Sequence, residues 1–237
     1  MTYYRLKANT KRNVMGSTEQ IINVSWSAHV RSKDSFNNQG LFGPVTGNPP
    51  IPSAHFNKKS KVTDYTRFIA ITQNIYLVIS ERLYLFLKER FLRQPHQTWD
   101  TILDRNGQKL PYKILHIDYP EKDFVNYKKS IFKFIISNND GTYKDLNQFI
   151  EIHSDEHLLE MSRKHPPYVE DKPFITASRL SFNLSKMKEG ILRTANNSVS
   201  GYYVSETFKN AIEKEGFTGM EFVPMEELSN HCEIEIL

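Results

Sequence analysis

The sequence predicts an α+β (mixed α/β) protein with about ten short strands in mixed sheets and about three helices. β-Branched and aromatic residues, which favour strands, form short runs along the whole chain. Apolar residues at positions i, i+3 and i+4, the spacing of one helix face, follow strand-like runs in several places. With 237 residues the chain can bury a substantial core, and we expect a single domain over residues 1–237.

The N-terminal block is predicted to combine two strands with a long loop. The strands cover residues 3–6 and 21–26. Residues 32–60 are predicted as an irregular loop because glycine and proline recur there, at Gly40, Gly43, Gly47, Pro49, Pro50 and Pro52. A loop of that length is either functional or mobile.

The central and C-terminal parts of the chain contain further predicted strands. Each is a short run of apolar or alternating residues, and turn residues follow several of them. They cover residues 68–71, 76–79, 110–118, 130–136, 174–184, 191–194, 202–204, 220–223 and 232–236. The last run alternates strictly, which is typical of an edge strand with one solvent-exposed face.

Three helices are predicted, and each begins after a serine that can serve as its N-cap. The serines are Ser80, Ser154 and Ser205. A glutamate or aspartate follows each serine, where the helix dipole favours negative charge. We expect the first helix to run to about residue 92, the second to end before Pro166 and the third to end at Gly216.

The unit around Ser205 is similar to the unit around Ser80. Both consist of an apolar strand, a Ser-Glu pair and an amphipathic helix. Two related halves around residues 64–95 and 190–224 would explain this similarity by duplication. Independent origin explains it as well, since such units arise easily in chains that alternate strands and helices.

Six short motifs occur in order along the chain: Tyr3-Tyr4-Arg5-Leu6, Asp64-Tyr65-Thr66, Val78-Ile79-Ser80-Glu81-Arg82-Leu83, Ile191-Leu192-Arg193, Tyr203-Val204-Ser205-Glu206 and Gly219-Met220-Glu221-Phe222. In this order they resemble an immunity-protein family of bacterial polymorphic toxin systems. Leu192 replaces a common aromatic, and residues 33–60 match no part of the pattern. The resemblance implies a cytoplasmic protein that binds a cognate toxin domain and blocks its active site, and it implies no catalytic residue.

Composition argues against a membrane or secreted protein. The longest apolar runs, residues 75–79 and 83–87, are far shorter than the roughly 20 residues of a spanning helix. The basic N-terminus has no apolar segment after it, as a signal peptide would. Cys232 is the only cysteine, which excludes an internal disulfide framework. We expect a soluble cytoplasmic protein with no membrane partner.

Charge is distributed unevenly, although the formal net charge is only +4. Residues 1–60 contain eight basic and two acidic side chains, whereas residues 201–237 contain two basic and eight acidic ones. A polarised molecule of this kind can dock a partner through either end. The alternative is that the two terminal regions lie side by side and compensate each other.

No set of residues has the spacing of a catalytic or metal site. His153 and His157 lack a third ligand, and zinc needs at least three from the protein. Cys232 and its neighbour His231 would point to opposite faces of a strand. The glycines in residues 40–47 lack the phosphate-loop and dinucleotide-binding patterns. We therefore expect no enzyme activity, no metal and no organic cofactor.

Two alternatives to an immunity function stay open. One is an enzyme of unrecognised type. The other is a nucleic-acid-binding module that uses residues 127–134, where Phe132 and Phe134 would share one face and stack on bases. An alternating, half-buried strand explains the same residues without a ligand, so no nucleic-acid partner is expected.

Acidic side chains are the candidate partner-binding residues. A toxin that acts on nucleic acid needs a basic groove, to which an inhibitor would present carboxylates. Two clusters are available: Asp155, Glu156 and Glu160 on the predicted helix, and Glu221, Glu226 and Glu227 near the C-terminus. Alternatively, these acids only solvate the surface, and the loop over residues 32–60 contacts the partner.

Overall fold

The computed structural model describes residues 2–17, 19–29, 34–38, 43–71, 75–118, 124–138, 142–166, 172–183, 190–194, 201–228 and 233–237. The chain forms two compact units. The first comprises Met1–Pro120, Glu189–Ala195 and Ser200–Val223, and the second comprises Glu121–Lys188, Asn196–Val199 and Pro224–Leu237. Compact units can be halves of one domain, so the single domain expected from the sequence stays a prediction.

The described elements confirm a mixed α+β fold. The strands are β1 Tyr3–Ala8, β2 Ile21–Trp26, β3 Pro52–Phe56, β4 Tyr65–Thr66, β5 Tyr76–Ser80, β6 His96–Arg105, β7 Gln108–Ile117, β8 Ile131–Ser137, β9 Tyr143–Ile150, β10 Pro173–Phe182, β11 Ile191–Thr194, β12 Gly201–Ser205, β13 Met220–Pro224 and β14 Glu233–Ile236. The helices are α1 Arg12–Met15, α2 Glu81–Arg90, α3 Asp155–Lys164 and α4 Glu206–Lys214.

The strands form three sheets. The first unit contains a six-stranded sheet in the order β2-β3-β6-β7-β5-β4 and a four-stranded sheet in the order β11-β12-β1-β13. The second unit contains a four-stranded sheet in the order β14-β10-β8-β9. β3 pairs in parallel with β6, and β10 with β14, whereas the other registered pairs are antiparallel. The six-stranded sheet and the sheet of the second unit are therefore mixed, in agreement with the prediction.

Alternation along β5 builds two apolar layers in the first unit. Leu77 and Ile79 pack with Phe208 of α4 on one side of the six-stranded sheet. Tyr76 and Val78 face the other layer, which also contains Phe36 and Phe68. Because consecutive side chains of a strand point to opposite faces, a run of apolar residues is what a strand buried on both faces requires.

The three predicted serine caps are confirmed. The Ser80 hydroxyl accepts the Leu83 N–H at 3.2 Å, and the Ser205 hydroxyl accepts the Phe208 N–H at the same distance. The Ser154 hydroxyl accepts the His157 N–H at 3.1 Å. Each bond satisfies a backbone donor that the first helical turn leaves without a partner.

Asp64 connects three parts of the first unit. Its carboxylate accepts hydrogen bonds from the Ser80 hydroxyl at 2.8 Å, from Arg82 Nη2 at 2.9 Å and from the Thr218 N–H at 3.0 Å. Arg82 also lies over the Phe217 ring, 4.3 Å from its centroid. One side chain thus ties the start of α2 to the turn before β13. Since all six sequence motifs lie in this unit, they describe its scaffold.

A fully buried arginine joins two sheets of the first unit. Arg193 on β11 donates from Nε to the Ile117 carbonyl on β7 at 2.7 Å. Burial raises the pKa of the neighbouring Tyr76 and Tyr202 hydroxyls, and the Arg193 charge lowers it in part. A buried charge is tolerated only with such hydrogen-bonded and polar surroundings.

One predicted strand is absent from the structure, and several of its strands were not predicted. Residues 68–71 do not form a strand. They form a turn whose apolar side chains, Phe68 and Ile71, are buried in one of the apolar layers of the first unit. β3 lies inside the predicted loop over residues 32–60, and it begins at Pro52, a position that proline can occupy in a strand. β6 and β9 were missed, since both are rich in polar residues.

Among the described helices, none is long and apolar enough to cross a membrane.

Candidate protein-binding site

The second unit contains a groove of about 770 Å³ at one edge of its sheet. β8 and β9 form this edge, and Phe132 pairs with Ile150 across them. The groove is lined by Tyr127, Lys128, Ser130, Ile131, Phe132, Phe149, Ile150, Glu151, Ile152 and His153. Its volume is within the range of sites that bind ligands or partner side chains.

Buried contacts fix the inner wall of the groove. The Tyr127 ring stacks on Phe132 with 5.9 Å between the centroids and 16° between the planes. The Tyr127 hydroxyl donates to the Asp155 carboxylate at the start of α3. Phe132 is 1% exposed, so an apolar contact and a buried hydrogen bond hold the wall together.

Two large aromatic side chains on β9 are exposed. Phe149 is 66% exposed and lines the groove, and Tyr143 is 47% exposed at the other end of the strand. Between them Lys133 of β8 forms an ion pair with Asp145, which holds the pKa of the Asp145 carboxyl below its usual value. Exposure of such large apolar rings to water is unfavourable, and burial against a partner would relieve it.

A backbone irregularity separates the two aromatics. Lys133 pairs with Phe149 and Ile135 with Asp145, so β9 contains two more residues than β8 over this span. Asn147 in the extra stretch has φ 53°, and its N–H donates to Asp145 Oδ1 at 2.8 Å. Such bulges bend an edge strand and redirect its side chains, which here places Phe149 at the groove.

Charged and polar groups border the groove. Lys128 and Glu151 lie in its lining and are exposed. The His153 ring, also in the lining, stacks on His157 with 5.2 Å between the centroids. Within the described parts of the chain, no group of three or more His, Cys, Asp and Glu side chains is placed to hold a metal. An apolar floor with a charged rim is the arrangement of a protein interface.

No known protein family, curated protein or solved structure matches this chain.

The structure separates the three acids of the first cluster by burial, because Asp155 is buried whereas Glu156 and Glu160 are exposed. Asp155 is 8% exposed and bonded to Tyr127, because the side chain that follows the N-cap turns towards the sheet. Glu156 and Glu160 are exposed on α3, and Lys164 forms an ion pair with Glu160 at 2.7 Å. That hydrogen bond lowers the pKa of Glu160. Of the three acids in this cluster, only Glu156 and Glu160 can therefore present their carboxylates to a partner.

The second acidic cluster is divided between the two units. Glu221 belongs to the first unit and lies 3.6 Å from Lys11 Nζ. Glu226 and Glu227 belong to the second unit, where both are exposed on the 3-10 turn Met225–Leu228. The three carboxylates were grouped because they are close in sequence. Neither unit contains all three, so they do not form a site within one unit.

The two aromatics proposed to stack on bases differ in exposure. Phe132 is 1% exposed and stacks on Tyr127, whereas Phe134 is half-buried and lies edge-on to His165 with 5.0 Å between the centroids. Alternation indicates a shared face for the two rings, but only the tertiary contacts show that Phe132 is buried on it.

A serine, a histidine and an aspartate line a second cavity, of about 330 Å³, in the first unit. His55 Nδ1 lies 3.3 Å from Asp104 Oδ1. However, the Ser53 hydroxyl is bonded to Ser25 at 2.8 Å, and Asp104 also accepts the Gly107 N–H of the β6–β7 turn. In a catalytic triad the serine hydroxyl is hydrogen-bonded to the histidine, which activates it as a nucleophile. The arrangement of Ser53, His55 and Asp104 is therefore not that of a serine-hydrolase triad.

The predicted glycine-rich loop is partly described. Val45 is buried, and its backbone forms two hydrogen bonds with the Gln97 side chain, at 2.6 and 2.9 Å. These bonds attach residue 45 to β6. Gly40 lies outside the described residues, as do the adjacent pair His231 and Cys232.

Phe149 and Tyr143 were not among the candidate residues, because the strand that contains them, β9, was not predicted from the sequence. The signal available was two aromatics in a polar segment between the Asn-Asn-Asp-Gly turn and Ser154. An isolated aromatic in such a segment does not distinguish a core contact from an exposed anchor.

Proposed function

We propose that this protein is an immunity-type inhibitor that binds a cognate toxin domain in a stoichiometric complex and blocks its active site by occlusion. The observation that carries the proposal is the exposed Phe149 beside a groove of about 770 Å³. Exposed aromatics next to a concave surface are the residues that dominate the free energy of protein association.

The groove explains how such a complex would gain affinity. Phe149 supplies a large apolar surface with few rotatable bonds, and Ile131, on the same face of the sheet, extends that surface. Lys128 and Glu151 at the rim would set the orientation and the association rate of the partner. Inhibition by occlusion requires only such complementarity and no reaction centre.

The division of the chain is compatible with this function. The motifs that resemble the immunity family lie in the first unit, whereas the groove belongs to the second. Changes in the groove of the second unit can therefore alter the choice of partner without changing the motifs of the first unit. This division supports the proposal because inhibitors of different toxins need different binding surfaces.

The test uses the C-terminal domain of the protein encoded by the adjacent upstream gene as the candidate toxin. We expect co-expression to restore growth and the two chains to co-purify in a 1:1 complex. Phe149→Ala should weaken the complex by about 2 kcal/mol, or about thirtyfold in Kd, because it removes an interface anchor. Isothermal titration calorimetry measures this change.

Ile69→Ala is the matched control. Ile69 is 64% exposed, close to the exposure of Phe149, and it lies in the first unit. We expect the control to leave Kd unchanged and both variants to keep the thermal stability of the wild type. Binding by Phe149→Ala with wild-type affinity would exclude the groove, and absence of both complex and growth rescue would exclude the function.

A further inference from the structure

A small cavity in the first unit contains two basic side chains. It measures about 190 Å³ and is lined by Leu6, Lys7, Ala8, Thr10, Tyr65, Arg67, Gly201 and Tyr202. At roughly 30 Å³ per water molecule, it has room for about six waters. β1 provides one wall, and the segment after β4 provides the other.

Positive charge predominates among the side chains that line this cavity. Among the described residues, neither Lys7 nor Arg67 forms an ion pair. Arg5 precedes Lys7 by two residues on β1, so both side chains leave the same face of the strand. Arg5 thus places a further positive charge near Lys7 and close to Gly201 of the cavity lining.

The fold holds Lys7 in an unfavourable position for its charge. Burial lowers the pKa of the Lys7 ammonium, the nearby Arg5 charge lowers it further, and Glu221 opposes both effects. Close like charges and lost hydration destabilise the charged form. An anion in the cavity would remove both penalties.

We propose that this cavity binds a phosphate group through the Lys7 ammonium, the Arg67 guanidinium and the Thr10 hydroxyl. Guanidinium and ammonium groups form charge-assisted hydrogen bonds with phosphate oxygens, and a hydroxyl adds a further donor. The cavity is open to solvent, so the phosphate is either a free ion or the end of a small molecule. This site goes beyond the proposed inhibitor function and does not depend on a toxin.

The experiment measures thermal unfolding and calorimetric binding with inorganic phosphate, against chloride at matched ionic strength. We expect a saturable rise in Tm with phosphate and a stoichiometry of one site per chain. A parallel titration with a nucleoside monophosphate distinguishes the two sources. Tighter binding than for inorganic phosphate indicates a phosphorylated small molecule, and weaker binding indicates the free ion.

Lys7→Gln and Arg67→Gln test the residues. Each should weaken phosphate binding by about tenfold or more, because each removes one charged donor. Lys7→Gln should also raise Tm in the absence of phosphate, since it removes a desolvated charge next to Arg5. A merely structural lysine would not show these opposite effects.

Lys88→Gln is the control, because Lys88 is an exposed lysine on α2 outside the cavity. It should bind phosphate as the wild type does. Equal binding by the Lys7, Arg67 and Lys88 variants would overturn the proposal, as would the lack of any saturable phosphate effect.

Discussion

Replacing Asp64 should destabilise the first unit in a way that depends on pH. Its side chain is 12% exposed and accepts hydrogen bonds from Ser80, Arg82 and Thr218. A hydrogen bond contributes about 1 kcal/mol, and one to a charged group about twice that, but Arg82 is largely exposed and its share must be discounted. We expect Asp64→Ala to cost about 2–3 kcal/mol and Asp64→Asn about 1–2 kcal/mol at pH 7.

The pH dependence follows from the pKa of Asp64. Burial raises this pKa, but the hydrogen bonds from Arg82, the Thr218 N–H and Ser80 together outweigh burial, so the pKa lies below its usual value. The unfolded carboxyl titrates near about 3.9. Its contribution to stability is therefore complete above about pH 4 and is lost as the pH falls through the lower folded pKa.

Urea denaturation of wild type and Asp64→Asn between pH 7 and pH 2 measures the effect. The difference in unfolding free energy should be constant at neutral pH and shrink on acidification. Asp100→Asn is the control, since Asp100 is 82% exposed in its pair with Lys113 and should change stability by less than about 0.5 kcal/mol. A loss for Asp64→Asn that is the same at every pH would refute the assigned role of its charge.

Local signals in the sequence were enough to locate the helix starts. Ser80, Ser154 and Ser205 cap the helices because an N-cap depends on residues within one turn. Strands with continuous apolar runs, such as β5 and β12, were predicted for a similar reason. Both of these strands are buried, and apolar burial is visible in composition.

Strands with polar faces were not predictable in this way. β6 pairs along its full length with β7, and the turn between them is Asn106-Gly107, with both residues at positive φ. This Asn-Gly turn is a strong hairpin signal and was available in the sequence. β9 also follows a turn signal, Asn-Asn-Asp-Gly, but its own residues are almost entirely exposed and include a bulge at Asn147, so they show no strand-like alternation.

The candidate site depended on contacts that the sequence does not show. Asp155 has the sequence context of an exposed helix acid, yet its bond to Tyr127, 28 residues earlier, buries it. Conversely, Phe149 has the composition of a core residue and is exposed. Both outcomes follow from strand pairing and helix docking, which bring together residues that are far apart in the chain.

Two further predictions concern the scaffold, and urea denaturation at pH 7 measures both. Ser205→Ala should cost about 1 kcal/mol, because the Phe208 N–H loses its acceptor. Gly219→Ala should cost more, about 3 kcal/mol or above, since φ is +88° and a Cβ atom would lie 2.1 Å from the Tyr65 carbonyl oxygen. Gly216→Ala is the matched control: φ is +69°, but nothing lies within 4 Å of the added Cβ, so only the backbone cost of about 1 kcal/mol applies. Equal losses at the two glycines would mean that Gly219 is required for its backbone conformation and not for the close approach of β4.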